Sequence, residues 1–272
     1  MNEFLNLKKS SSQNEKAFLI FASIKFLGNC FCYNSKKFYR EKFFINMLRR
    51  LMLLALITFL FIEWGPLTDE RAKFGIAAGD PFVKEIVLTF DDGPREHGMQ
   101  ELNAVLTSGD VHGTFFLVGK FADRYGKITL MLNNAGHELE NHSFTHPKLY
   151  RLWVEKIMRE AERCDEVFES LNIRKTRFLR PPGGGFNMKI FNAMRRMNKK
   201  LGLWSLNTAD YTGRPKEEIV RLVLSSVKAG DVILMHSGTP NTVEALPEII
   251  EKLKQRGFSF VRLEELYSRG KI

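Results

Sequence analysis

The sequence predicts an α/β fold in which one parallel sheet carries helices on its outside. Short β-rich runs alternate with helix-spaced segments between residues 81 and 263, giving seven strands. Alternation of this kind builds βαβ units, whose strands run parallel. Clusters of polar residues follow several of the apolar strand runs, where folds of this class place their sites. Composition agrees, since 272 residues with 44% hydrophobic and 26% charged side chains suit an ordinary globular chain.

Taken in order, Glu85–Phe90 (EIVLTF) is the first strand and Gly98–Ser108 has helical spacing. Gly113–Val118 (GTFFLV) is the second strand, followed by a helical stretch to Asn134 that stops at Gly136. His137–Glu140 is a third, short strand. Pro147–Leu171 has the period of a long amphipathic helix, with Leu149, Leu152, Val154, Ile157, Ala161, Cys164 and Val167 facing inward. Strand Arg177–Arg180, helix Met188–Lys199 and strand Leu201–Leu206 come next. Helix Lys216–Val227 leads to the sixth strand, Asp231–Met235. Helix Val243–Arg256 ends at Gly257, before the last strand, Ser259–Leu263.

Ahead of this segment lies a different kind of sequence. Leu51–Ile62 (LMLLALITFLFI) is an apolar run of 12 residues directly after Arg49 and Arg50, the layout of an export signal. It falls short of the roughly 20 residues that a membrane span needs. The expectation is a signal peptide or retained membrane anchor at 47–67, with its basic side cytoplasmic. Residues 1–46 are then an N-terminal extension or a mis-assigned start, and 68–272 the extracytoplasmic catalytic domain, membrane-anchored or secreted. The net charge of +10 is concentrated at the front: residues 1–50 carry ten Lys/Arg and three Asp/Glu, leaving +3 for everything after them. Nucleic-acid binding needs a basic face on the folded part, so that class is excluded. Cys30, Cys32 and Cys164 are too few and too scattered for a disulfide framework or a zinc knuckle.

The chemistry-bearing residues stand at strand ends. The first strand runs into Asp91-Asp92-Gly93-Pro94, where two adjacent carboxylates diverge on an extended backbone. One can bind a metal while the other serves as a base, although taken alone such a string is also an ordinary turn. The third strand runs into His142-Ser143-Phe144-Thr145-His146-Pro147. Imidazoles at i and i+4 are a common metal pair, and Pro147 keeps His146 out of the right-handed helical region, so this is a turn ahead of a helix. Asp92, His142 and His146 together offer three ligands and one open position, as in a catalytic zinc site; Co²⁺ or Mn²⁺ suits the same donors. Arg180, fixed before Pro181 and Pro182, is suited to hold Asp91 ionised, and the backbone N–H groups of the following glycines to face an oxyanion. His236 brings another imidazole to the mouth after the sixth strand.

In order, the motifs TFDDGP, HSFTHP, RPPGG, the segment WSLNTADY and ILMH resemble those of polysaccharide deacetylases, carbohydrate esterase family 4 with its NodB-homology domain. GTFFLVG and GHELENHS are similar as well, and the likeness spans about residues 84–268. It implies a distorted (β/α)7 barrel that hydrolyses the acetamide of N-acetylated amino sugars and releases acetate. It further implies Asp91 as catalytic base, Asp92, His142 and His146 as metal ligands, and Arg180 as the group orienting Asp91. His236 is then the general acid, Asp210 tunes it, Leu234 lines the acetyl pocket, and Gly183 supplies the oxyanion donor. The sequence departs from the family pattern where Gly183 replaces an aromatic residue, and where Asn207 and Tyr211 flank Asp210; these positions concern substrate fit. The substrate implied is a cell-wall polysaccharide, peptidoglycan before chitin, with GlcNAc or MurNAc left open, and the enzyme is expected to act as a monomer. The alternatives are a metal-dependent amidase on a small or cyclic amide and a catalytically dead carbohydrate-binding protein. The export signal argues against the first, and an intact set of ligands, base and acid against the second.

Overall fold

A computed structural model describes residues 52, 75–76 and 78–269 of the chain. Apart from Met52, the apolar run Leu51–Ile62 lies outside the described residues, as do residues 1–46. Among the described residues no helix is long and apolar enough to cross a membrane. Residues 78–269 lie within one compact unit.

The element order is β1 (Gly75–Ile76), β2 (Glu85–Gly93), α1 (Met99–Ser108), β3 (Thr114–Leu117), α2 (Gly119–Arg124), α3 (Gly126–Asn134) and β4 (Glu138–Asn141). It continues with α4 (Val154–Ser170), β5 (Phe178–Leu179), α5 (Met188–Met197), β6 (Lys200–Gly202), β7 (Leu206–Asn207) and α6 (Lys216–Ser226). The last elements are β8 (Val232–His236), α7 (Pro240–Gln255), β9 (Ser259–Phe260) and α8 (Leu263–Arg269). Every pairing between these strands is parallel, in the order β1-β6-β5-β4-β3-β2-β8-β7, with β9 added beside the start of β2. Among the described residues β1 and β7 are not paired with each other, so the sheet curls into a distorted, incompletely closed barrel.

Alternation along β2 sorts its side chains between two layers. Ile86, Leu88 and Phe90 face outward and are buried with α1, α6 and α7 residues such as Leu102, Val223 and Ile249. Val87 faces inward, against Phe116, Phe178 and Val232. Leu263 and Leu266 of α8 complete that inner cluster, so one end of the barrel is plugged by apolar side chains. Glu138 and Glu140 also point inward and are buried, held by Arg174 and by the backbone N–H groups of Arg177 and Phe178. Burial, reinforced by the neighbouring Glu138, pushes the Glu140 carboxyl well above its ordinary pKa.

Several expected boundaries move, each for a local reason. The helix expected over Pro147–Leu171 starts only at Val154, because Leu149–Arg151 forms a separate single turn and Trp153 is extended with ψ 158°. Phe168, not the half-buried Val167, takes the buried position near its end. The stretch after the second strand breaks into α2 and α3 at Tyr125. Strand 201–206 is likewise two strands, β6 beside β5 and β7 beside β8. The last strand keeps only Ser259–Phe260, since Leu263 already begins α8. With β1 added, the seven expected strands become nine among the described residues. Cys164 is a free, buried thiol whose Sγ lies 3.6 Å from the Leu117 carbonyl oxygen.

Candidate active site

The carboxyl ends of β2, β4, β5 and β8 meet at one mouth. Parallel register sets Asp91 opposite His236 on β8 and Phe116 on β3. Asp91 continues the inward face of Val87 and Thr89 and is 4% exposed. In a regular strand Asp92 would point to the opposite face. Instead the β2–β3 register shifts between Asp91 and Gly93, and Asp92 takes a left-handed φ of 68°. Such a bulge re-aims one side chain. The two carboxylates therefore converge, contrary to the divergence expected from an extended backbone. Asp92 Oδ1 is 3.3 Å and Asp91 Oδ2 3.8 Å from the same atom, His142 Nε2.

Glu138, Glu140 and His142 share the inward face of β4, which carries His142 to the mouth. Its Nδ1 lies 2.7 Å from the Arg180 carbonyl oxygen. A carbonyl only accepts, so Nδ1 carries the proton and Nε2 is left with a free lone pair. His146 follows a turn with left-handed backbone at Ser143 and at His146 itself, both with φ 64°. Pro147 does keep His146 out of the right-handed helical region, but on the positive-φ side. His146 Nε2 reaches 3.0 Å from Asp92 Oδ1. The ligand atoms of Asp92, His142 and His146 all lie within 4.8 Å of one another, so the three fit a single metal ion. Burial opposes ionisation of Asp92, yet hydrogen bonds and charge from His142 and His146 outweigh it and hold the carboxyl far below its usual range.

Arg180 is fully buried and spends its guanidinium inside the barrel. Nη1 donates to Asp91 Oδ1 at 2.7 Å and to Thr89 Oγ1 at 2.8 Å. Nε donates to the Gly202 carbonyl at 2.7 Å and Nη2 to that of Leu203 at 3.0 Å, while the plane lies 3.9 Å from the Phe116 ring centre. Burial lowers the guanidinium pKa, and the Asp91 charge works against that fall.

A second charged pair stands beside this one. His236 Nδ1 is 2.7 Å from Asp210 Oδ1, and the His236 N–H donates to Asp210 Oδ2 at 2.7 Å. Thr242 Oγ1 adds a third hydrogen bond, to Asp210 Oδ2 at 2.6 Å. Burial raises the pKa of Asp210, but His236 and Thr242 draw it down below the ordinary value. For His236 burial acts downward, and the Asp210 carboxylate more than compensates, leaving the imidazole pKa above its usual value. The exposed Tyr211 ring stands edge-on to His236, with centroids 5.0 Å apart.

Thus the structure joins Asp91 with Arg180, Asp92 with His142 and His146, and Asp210 with His236 and Tyr211. Leu234 is buried two residues before His236 on the same inward face. Gly183, in the loop after β5, has φ 69° and open space where a Cβ would stand. Asn207 has a local role: its Oδ1 accepts the Ala209 N–H at 2.8 Å, shaping the turn that delivers Asp210. Sequence reasoning missed Thr89 and Thr242, because a threonine in a strand or helix run carries no signal of its own.

Residues 78–202 match the family model for polysaccharide deacetylase. A peptidoglycan-N-acetylglucosamine deacetylase of Bacillus cereus is 32% identical over 77% of this chain and 78% of its own length. Among solved structures, the Bc1960 peptidoglycan N-acetylglucosamine deacetylase superposes with a TM-score of 0.70 at 28% identity, over 77% of this chain and 96% of that one. BA3943 of Bacillus anthracis, described as a carbohydrate esterase family 4 pseudoenzyme, gives 0.68 at 27% identity, over 71% and 68%. The class these likenesses define is that of hydrolases acting on amide bonds. Within it, the chain belongs to the polysaccharide deacetylase family.

Proposed function

We propose that this chain is a metal-dependent N-deacetylase of peptidoglycan, hydrolysing the acetamide of its N-acetylated amino sugars to a free amine and acetate. The observation that carries the reading is the placement of a buried, arginine-held carboxylate (Asp91) between a three-ligand cluster and a carboxylate-held imidazole (His236). Asp92, His142 and His146 are the residues that hold the metal, Zn²⁺ first and Co²⁺ or Mn²⁺ as substitutes. Bound there, a divalent ion supplies Lewis acidity toward a carbonyl oxygen and a water.

The protein's own groups do the rest. Asp91 accepts the proton of the attacking water, and Arg180 keeps that carboxylate aimed. The Gly183 N–H donates to the oxyanion. His236, charged through Asp210, delivers its Nε2 proton to the leaving nitrogen as the C–N bond breaks. Leu234 borders the acetyl group and Tyr211 the sugar. The dead-site reading, which the pseudoenzyme likeness also raises, is disfavoured because Asp92, His142, His146, Asp91 and His236 converge on one mouth. The export signal expected from the sequence at residues 47–67 fits a substrate outside the cytoplasmic membrane. Purified residues 68–272 should release acetate from peptidoglycan, and more slowly from chitin oligomers. A strong chelator should abolish the release and Zn²⁺ restore it; full activity without metal would overturn the reading.

A further inference from the structure

We propose that Asn141 and Glu160 are positioning residues that hold the metal-ligand turn from its outer side, through helix α4. The proposal rests on Asp92, His142 and His146 being the metal ligands. Between the two histidines the backbone belongs to no strand or helix, and side chains take over the hydrogen bonding of its N–H groups, while the Ser143 and Phe144 carbonyls accept from the Gly119 and Lys120 N–H groups. The Ser143 N–H donates to Asn141 Oδ1 at 2.8 Å, and the Phe144 and Thr145 N–H groups to Glu160 Oε2 at 3.1 and 2.7 Å. Thr145 Oγ1 adds a bond to Glu160 Oε1 at 2.9 Å. Ser143 and His146 both have φ 64°, a conformation that persists only where the surroundings over-determine it.

The anchors themselves are fixed. Asn141 is fully buried on the outward face of β4, its Nδ2 donating to the Ala161 carbonyl and to Asp165 Oδ1, each at 2.8 Å. Asp165 is in turn held by Lys199 Nζ at 2.8 Å and Thr176 Oγ1 at 2.6 Å. His142 has a further anchor in the Arg180 carbonyl, whereas His146 is carried to its place beside Asp92 and the His142 ring by the turn. Neither Asn141 nor Glu160 touches the ligand atoms, so both act through the turn. Loss of such outer supports typically weakens metal binding about 10–100-fold.

The test uses the full chain, with Zn²⁺ affinity measured by competition with a chromogenic chelator and melting followed on the metal-free protein. Glu160→Ala retains helix propensity in α4 and should weaken Zn²⁺ binding about 10–100-fold, with little change in the metal-free melting temperature. Glu160→Gln, which keeps one acceptor oxygen, should fall between it and wild type. Asn141→Asp keeps the acceptor for Ser143 but sets a carboxylate against Asp165, and should weaken binding similarly. If Asn141→Asp fails to fold, Glu160→Ala decides alone. Wild-type Zn²⁺ affinity in the variants that fold overturns this proposal while leaving the metal site standing. Failure of the wild-type chain to bind Zn²⁺ overturns both.

Discussion

His142 donates its Nδ1 proton to the backbone carbonyl of Arg180 across 2.7 Å. The same arginine grips Asp91 with its guanidinium, so one residue orients an imidazole of the ligand cluster with its backbone and the buried carboxylate with its side chain.

Arg180→Met should destabilise the fold by about 3–5 kcal/mol, because it leaves Asp91 a buried charge without its partner. The Gly202 and Leu203 carbonyls lose their donors in the same step. Arg180→Lys keeps a charge but cannot reach four acceptors at once, and should recover only part of the loss. Chemical denaturation of the three proteins measures this directly.

His142→Ala should lose both metal and activity, since two remaining ligands make a weak site. His236→Asn should instead retain about one metal per chain while kcat falls about 10²–10⁴-fold, the usual contribution of a positioned acid. Metal analysis beside steady-state acetate release separates the two. Release of metal by His236→Asn would show that it is not the acid.

The pH profile tests the pairing of Asp210 with His236. Asp210 raises the His236 pKa, so the protonated acid persists below that raised value and is lost as pH climbs through it. The alkaline limb of kcat/KM should therefore lie above the ordinary imidazole pKa. Asp210→Asn removes the anion and should move that limb to lower pH.

Gly183 and Gly184 should respond differently to alanine although both have φ 69°. At Gly183 a Cβ meets open space, so Gly183→Ala should cost only the backbone strain, about 1–2 kcal/mol. At Gly184 the new Cβ would collide with the Trp204 ring, and Gly184→Ala should cost more. Melting temperatures of the pair provide the comparison.

The chain's local chemistry was enough to announce the strand-helix alternation and the motifs. Apolar runs with period two or 3.6 report burial, and Asp91, Asp92, His142, His146, Arg180 and His236 stand out because polar groups rarely close apolar strands. What the sequence left undetermined depends on contacts distant along the chain. The bulge that turns Asp92 toward His142 is set by pairing with β3. The splitting of 201–206 follows from β6 pairing with β5 and β7 with β8. Thr89 and Thr242 acquire their roles only when Arg180 and Asp210 are folded against them. Local pattern fixes which residues are buried, whereas hydrogen-bond partners 26 to 91 positions apart are chosen by the tertiary packing itself.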